Sequence, residues 1–397
     1  MTEPAYEPDE IEDEDVESVR IPLSDPDMTM DELQAVDSVL RTSRVSNGAT
    51  VAEFEAAFAA YLGRRYAIAV PSGTIGLFLI LMAKGIGPGD EVIAPSFSFR
   101  ETAQAIAAIG ATPVFADIDY WSGAMVAPKA EAKITPKTRA ILAANPNGHP
   151  ADWSSLRELA DKAGLMLIED SSEAIGSKYK DQLVGTFGDA SVFDFAQPMP
   201  LTCGEGGMIV TDDPDLAMAI KRRRAHAPEE RGSVAVTTAP ALQLQMSDIT
   251  AALGLAQLRR LEEILEKRLT IEHLYNKYVQ SFEGIKPPYV APDVTEVHWF
   301  LYVVHLGTRF SKSSRDAIVD DLATEHVEAT GYCNPLHLQR FYVDRGWRRG
   351  DLFVTEKVAD RAVALPYHCH LTEGQIEFIV ATMKDASINV GAGAAIY

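Results

Sequence analysis

The chain has 397 residues, 47% of them hydrophobic and 23% charged, with 36 basic side chains against 57 acidic ones. At ~100–200 residues per domain, that length makes two or three domains, or one large domain with an appendage, and the apolar fraction excludes wholesale disorder. The formal net charge of −21 excludes a nucleic-acid or anionic-membrane surface, since both need clustered Lys and Arg.

The charge is unevenly spread. Residues 1–19 hold nine acidic side chains and no basic one. Such a segment cannot bury enough apolar surface to offset its ordering entropy, so a disordered tail is expected, with an acidic docking arm as the functional alternative. It also lacks the basic start and apolar stretch of a secretory signal. From about Thr50 helical and strand signals alternate. Val51 to Leu62 has apolar residues at helical spacing before Gly63, Tyr66 to Val70 is β-rich, and Pro71-Ser72-Gly73-Thr74 opens an apolar helical pattern to Ala83. After a turn from Gly85 to Asp90 come a strand (Glu91 to Ala94), a helix (Thr102 to Ile109) and a strand (Thr112 to Ala116). Ala140 to Ala144 and Leu165 to Ile168 are continuous apolar runs, as in strands covered on both faces. The alternation predicts a parallel or mixed sheet between two helical layers.

Near Ser247 the pattern changes. Ile249 to Phe282 reads as one long helix or two in series, and Val297 to Leu306, Ser314 to Thr324 and Thr372 to Ala381 form a smaller α/β unit. The expected division is an acidic tail (1–19), a large α/β domain (20–264) and a small C-terminal α/β domain (265–397). No run reaches the ~18 apolar residues of a membrane helix. Cys203, Cys333 and Cys369 are odd in number and far apart. They make no disulfide framework, and a reducing, cytoplasmic compartment is the simple expectation.

Three segments carry candidate chemistry. Pro71-Ser72-Gly73-Thr74-Ile75-Gly76 lies between a strand and a helix, where unpaired N–H groups and the helix dipole favour a phosphate or carboxylate; ordinary N-capping by Ser72 or Thr74 is the bland alternative. Leu167-Ile168-Glu169-Asp170-Ser171-Ser172-Glu173 puts acids at the C-terminal end of an apolar strand, where open α/β sheets bind ligands. A carboxylate there can hold a protonated ring nitrogen or act as acid or base, or it can belong to a loop of capping residues. The third, from Ser191 to Gly207, reads as a hairpin whose turn is proline-flanked and glycine-rich, with Met208 to Val210 as the returning strand. His149, in Asn147-Gly148-His149-Pro150, stands near the predicted strand ends and is a candidate acid or base.

Taken together, these segments resemble the DegT/DnrJ/EryC1/StrS group of sugar aminotransferases, enzymes of the fold-type I pyridoxal phosphate class. The likeness rests on strand–SGT–helix, PSFSF (Pro95 to Phe99), FADIDY (Phe115 to Tyr120), NGHPAD (Asn147 to Asp152) and IEDSSEAIGS, followed by FDF…LTCGEGG and QMSDITAALGLAQLRRL. NPLHLQ (Asn334 to Gln339) and LPYHCHLT (Leu365 to Thr372) extend it, in the family's order, over roughly residues 25 to 385. The resemblance implies a mostly parallel mixed sheet between helices plus a smaller C-terminal α/β domain, and a homodimer with pockets at the subunit interface. It places Gly73 and Thr74, with Ser72 beside them, on the cofactor phosphate, Phe99 against the pyridine ring, and Asp170 on the pyridinium nitrogen. Glu173 takes the position of a Gln or His facing the ring. His368-Cys369-His370 falls in the family's LPlhp loop, and no metal site is expected.

The departures from the pattern are informative. The family's Schiff-base lysine in FSF-x-x-x-K corresponds to Met199, whose thioether can neither hold an imine nor shuttle a proton. The family's phosphate-binding Ser corresponds to Asp194. A carboxylate at 4 Å from a phosphate charge is repelled by ~4 kcal/mol at an effective dielectric near 20. Gln243 and Gln245 stand where the family has a partner-subunit Asn and an Arg. PLP or PMP is therefore not expected to be covalently bound. The leading expectation is a diverged biosynthetic enzyme without an internal aldimine, acting on a small polar metabolite of sugar, cyclitol or secondary-metabolite type. Its pocket would be lined by Ser72, Gly73, Thr74, Phe99, Asp170, Met199 and Gln243, with Glu173, Asp194 and His149 in acid–base roles. A pyridoxamine phosphate enzyme of transaminase or dehydratase type and a non-catalytic partner of an active enzyme are the alternatives.

Overall fold

A computed structural model describes residues 20–46, 48–225, 241–280 and 284–394. The acidic tail expected at 1–19 lies outside them. Helix α1 (Met30–Leu40) begins in a capping box, in which Thr29 accepts from the Asp31 N–H and Glu32 accepts from the Thr29 N–H. Helix α2 (Ala49–Leu62) has Gly48 at its N-cap, which offers no side chain, and its cap comes from far along the chain. The Asp248 carboxylate accepts from Gly48 N–H at 2.6 Å and from Val51 N–H at 3.2 Å.

The expected alternation then follows. Strand β1 (Tyr66–Val70) leads to α3 (Gly73–Ala83), β2 (Glu91–Pro95), α4 (Arg100–Ala108) and β3 (Thr112–Ala116). Next come α5 (Ala127–Glu131), β4 (Thr138–Ala144), α6 (Trp153–Ala163) and β5 (Met166–Asp170). A short ribbon, β6 (Lys178–Tyr179) and β7 (Gln182–Leu183), precedes the hairpin β8 (Ala190–Asp194) and β9 (Gly207–Thr211), then α7 (Pro214–Arg224) and α8 (Asp248–Arg259). One sheet takes the order β1-β9-β8-β5-β4-β2-β3. Neighbours from β8 through β5, β4 and β2 to β3 are parallel, and β9 alone runs against its neighbours β1 and β8. Ile68, Leu142, Ile168 and Ile209 are fully buried in it. Helices cover both faces, which is why these strands read as unbroken apolar runs.

The stretch expected as one helix or two is two. The chain bends at Arg260, between α8 and α9 (Leu261–Val279). Beyond lie β10 (Ile285–Lys286), β11 (Val294–Glu296), β12 (Tyr302–Leu306), α10 (Lys312–Thr324) and β13 (Thr330–Gly331). The chain closes with α11 (Arg340–Val343), α12 (Phe353–Ala359), β14 (Ala362–Leu365) and α13 (Glu373–Ala394). An antiparallel sheet, β10-β12-β14-β13, packs under α9, α10 and α13.

Residue 265 falls inside α9. Leu265 packs in the core of the large sheet, while Ile271, Tyr275 and Val279 of the same helix pack in the C-terminal core, so the chain changes cores within one continuous helix. Ile21 also belongs to the C-terminal core, through its bridge to Val327. The strand read as starting at Val297 begins only at Tyr302, because the backbone N–H groups of Phe300 and Leu301 are taken by Asn147. Among the described residues no helix is long and apolar enough to cross a membrane.

Candidate functional site

The C-terminal ends of β1, β4, β5 and β8 converge on one cavity of about 440 Å³. At the end of β1 the chain turns into α3 with Ser72 as N-cap, its Oγ accepting from Ile75 N–H at 3.3 Å. That leaves the N–H of Gly73 pointing toward the end of β8. Asp194 fills the position: its Oδ2 accepts from Gly73 N–H at 2.6 Å and its Oδ1 from Ala196 N–H at 2.7 Å. A Cβ on residue 73 would lie 3.0 Å from the Asp194 side chain, so glycine is what admits the carboxylate so close. Burial raises the Asp194 carboxyl above its ordinary range, and the nearby Asp170 and Glu205 charges act in the same direction against the two N–H groups.

Asp170 closes β5. Its Oδ2 accepts from the buried Thr102 hydroxyl on α4 at 3.0 Å and its Oδ1 from Ser172 N–H at 3.2 Å. The neighbouring Glu169 points the other way and has a different task. Fully buried, it accepts from the N–H groups of Gly185, Phe187 and Gly188, folding the turn before β8. Glu173 is buried and accepts from the Asn147 N–H and, at 2.5 Å, from the hydroxyl of Tyr332. Phe99, the N-cap residue of α4, is 36% exposed at the cavity and meets Phe300 edge-on at 5.5 Å between ring centroids.

Ser72, Gly73, Thr74, Phe99, Asp170, Glu173, Asp194 and Met199 all line this one cavity, as the sequence reading grouped them. Met199 packs its side chain against the cluster of Phe97, Phe300 and Val303. Every lysine of the chain lies among the described residues, and none lines the cavity.

Two expected members are elsewhere. His149 is not at the site, which corrects its assignment as an acid or base. It is buried, its Nδ1–H donates to the Pro150 carbonyl at 2.8 Å, and its Nε2 accepts from Ala291 N–H at 3.1 Å. With both ring nitrogens engaged, burial holds its pKa down at about 4, so the ring is neutral at physiological pH. Gln243 is exposed, with φ +53°, on a segment tied to the end of α7 by the N–H groups of Leu242 and Leu244, and it does not line the cavity of its own chain.

Sequence reasoning missed Tyr332, Asn145 and Glu205. Tyr332 reaches Glu173 across 159 residues, and nothing in its local pattern signals that meeting. A larger open cleft, of about 830 Å³, lies at the opposite ends of the strands. Its cations are spent on internal pairs: Arg64 with Asp212, Lys84 with Asp213, Arg139 with Asp90 and Arg157 with Asp189.

A mostly parallel sheet with a ligand-sized cavity at its strand ends, roofed by a smaller α/β unit, is the architecture of pyridoxal phosphate-dependent aminotransferases. Residues 26–384 match the DegT/DnrJ/EryC1/StrS aminotransferase family, and the chain belongs to that family. It is 33% identical over 376 residues to the spore coat polysaccharide biosynthesis protein SpsC of Bacillus subtilis, covering 92% of this chain and 96% of the relative. It is 36% identical over 373 residues to the GDP-perosamine synthase of Caulobacter vibrioides, covering 93% and 99%. Among solved structures, Spr1654 from Streptococcus pneumoniae in its PMP form superposes with a TM-score of 0.90 at 26% identity, covering 95% of this chain and all of that one. Its PLP form gives 0.88 at 27% identity, covering 94% and 99%.

Proposed function

We propose that this protein is a biosynthetic member of the family that acts on a small polar metabolite of sugar or cyclitol type without a lysine-bound cofactor, and so is not an ordinary transaminase. The observation that carries the reading is the seat of Asp194. A pyridoxal phosphate pocket needs an anion cradle for the phosphate, a slot for the ring and a lysine amine. The ring slot fits, with Phe99 at its side and Asp170 at its end. The cradle does not fit, because the Gly73 N–H at the start of α3 already holds the protein's own carboxylate. The amine does not fit either, since Met199 lines the cavity and no lysine does.

What remains is acid–base chemistry by the cavity's carboxyl groups. Asp194, at the cavity wall with its carboxyl raised above the ordinary range by burial, is the first candidate to exchange a proton with a bound substrate. Glu173, gripped by Tyr332 and Asn147, is the second candidate. In this reading the working unit is a cytoplasmic homodimer, with Gln243 reaching into the cavity of the opposite subunit.

The retained ring slot favours one second reading, an enzyme that uses pyridoxamine phosphate without any lysine. Titrating the purified protein with pyridoxal and pyridoxamine phosphates, followed by absorption and calorimetry, separates the two. The expected result is no lysine-dependent visible absorption and weak binding of both; tight pyridoxamine phosphate binding establishes the second reading instead. The double substitution Met199→Lys with Asp194→Ser is expected to bring the absorption back. Its continued absence would show that the cradle is misplaced.

A further inference from the structure

We infer that the protein binds one ordered water molecule behind the wall of the ligand cavity, between Arg268 and His368, and that His368 positions that wall through it. Behind the turn 197–200 lies a second cavity, of about 20 Å³. Gln197, Pro198 and Met199 line both cavities, so the two share a wall. The rest of the small cavity's lining comes from α9, the loop 367–369 and the N-terminal strap 24–27. The strap is tied in on two sides. Tyr367 N–H donates to the carbonyl of Leu23, just before it, at 3.0 Å, and Gln197 Nε2 donates to Ser24 Oγ at 3.2 Å. The site does not depend on which ligand the larger cavity takes.

Two residues of this lining, Arg268 at 5% exposed and His368 at 4%, carry nitrogens with no hydrogen-bond partner among the described residues. They are Arg268 Nε and both ring nitrogens of His368. Carbonyls hold Nη1 and Nη2 of Arg268, which leaves its Nε–H over. The Pro22 carbonyl is near enough to the imidazole to favour its protonated form, without meeting hydrogen-bond geometry. Burial outweighs that effect and lowers the ring's pKa, so at neutral pH the imidazole has one N–H to donate and one lone pair to fill. Buried polar groups in folded proteins are almost always paired, with ordered water where no protein group serves. One water can accept from Arg268 Nε–H and donate to the His368 lone pair at once. The cavity, at about 20 Å³, exceeds the ~10–15 Å³ that a water needs. A charged occupant fits less well. Asp25 and Asp27 on the lining oppose an anion, and Arg268 opposes a cation. Among the described residues no three His, Cys, Asp or Glu side chains are grouped to hold a metal ion.

The test is a high-resolution crystal structure of the full-length protein, with hydrogen exchange followed by mass spectrometry on two variants. One density peak is expected within about 2.7–3.2 Å of Arg268 Nε and of one His368 ring nitrogen. A bromide soak is expected to leave no anomalous signal there. No peak, or a bromide peak, overturns the water. His368→Phe keeps a ring and removes both nitrogens. In it, exchange of the segment 196–203, where Met199 N–H is bonded to the Ala196 carbonyl, is expected to quicken about tenfold or more. His368→Gln restores a donor and an acceptor and is expected to return most of the protection. Strand β3, at the opposite edge of the sheet, is expected to exchange as in the unmodified protein in both variants. Unchanged exchange over 196–203 in the Phe variant, a Gln variant as fast as it, or equal quickening in β3 overturns the positioning role. If the Phe variant does not fold, the Gln variant and the density in the unmodified protein decide the matter.

Discussion

Asp194 and His149 show how far a residue type constrains its use. Both are titratable and both were candidates for proton transfer, yet only the carboxylate reaches the cavity. The difference lies in what the backbone does around them. Asp194 ends a strand beside the start of α3, so its oxygens find N–H groups at the cavity wall. His149 follows the turn 146–148, and its ring is used to hold that turn against Ala291. The turn itself then serves the site through the Asn147 N–H on Glu173. A buried neutral histidine leaves a signature in acid. Its pKa is about 4 in the folded chain, against an ordinary value of 6.5, so between those values the unfolded chain binds the extra proton. The stability it contributes is fully present above pH 6.5 and is lost as pH falls toward 4, with a slope of ~1.4 kcal/mol per pH unit in that window. Urea unfolding at several pH values should show His149→Gln with a shallower acid limb than the unmodified protein, by about one proton. An unchanged slope would mean that the histidine is solvated or charged in the fold.

At the level of elements, the parts legible in the sequence were those whose signal is local. Ala140 to Ala144 and Leu165 to Ile168 announce doubly covered strands because every side chain along them is apolar. Ser72-Gly73-Thr74 announces a helix start because capping is decided within a few residues. What was not legible depends on distant partners. Nothing around Val297 to Leu301 says that Asn147 will claim its N–H groups and delay the strand to Tyr302. Tyr332 belongs to the site only because the C-terminal unit folds over the strand ends. Helix α2 makes the point energetically. Its own N-cap is glycine, and Asp248, itself 1% exposed at the first turn of α8, supplies the missing acceptor. Asp248→Ala removes a buried charged acceptor from two helix-end donors and should destabilise the protein by about 1–3 kcal/mol. Asp248→Asn keeps an acceptor oxygen and should recover part of that. Denaturant midpoints of the two variants check the order; equal losses would show that packing around the side chain, rather than the cap, is what matters.

Across the whole molecule, the site depends on how the C-terminal unit is held over the large sheet, and α9 is the element common to both. Its Arg268 is 5% exposed and has no described carboxylate beside it. Instead Nη2 donates to the carbonyls of Trp299 and Phe300 at 2.9 and 2.7 Å, and Nη1 to that of Tyr367 at 3.1 Å. The guanidinium stacks over the Tyr367 ring at 4.4 Å, and the Tyr367 hydroxyl donates back to the Arg268 carbonyl at 2.8 Å. Burial lowers the arginine's pKa, but a guanidinium stays protonated in a protein, so the three carbonyls are what compensate the buried charge. One of them belongs to Phe300, the residue against which Phe99 stands in the cavity. Replacing Arg268 with Met fills similar space and removes the charge, but leaves three carbonyls without a donor in a buried junction. The expected cost is about 3–5 kcal/mol, at ~1–3 kcal/mol for each unsatisfied group with partial relaxation. Arg268→Lys should recover less than half of it, because a single ammonium cannot span the fork of carbonyls as a planar guanidinium does. The ligand site should register the same change: affinity for whichever ligand the natural protein binds falls in both variants, more in the Met variant, as Phe300 loses its tether. Urea unfolding and calorimetry on the same preparations read the two effects side by side. A Met variant within about 1 kcal/mol of the natural protein would show that packing holds the junction without the arginine's hydrogen bonds.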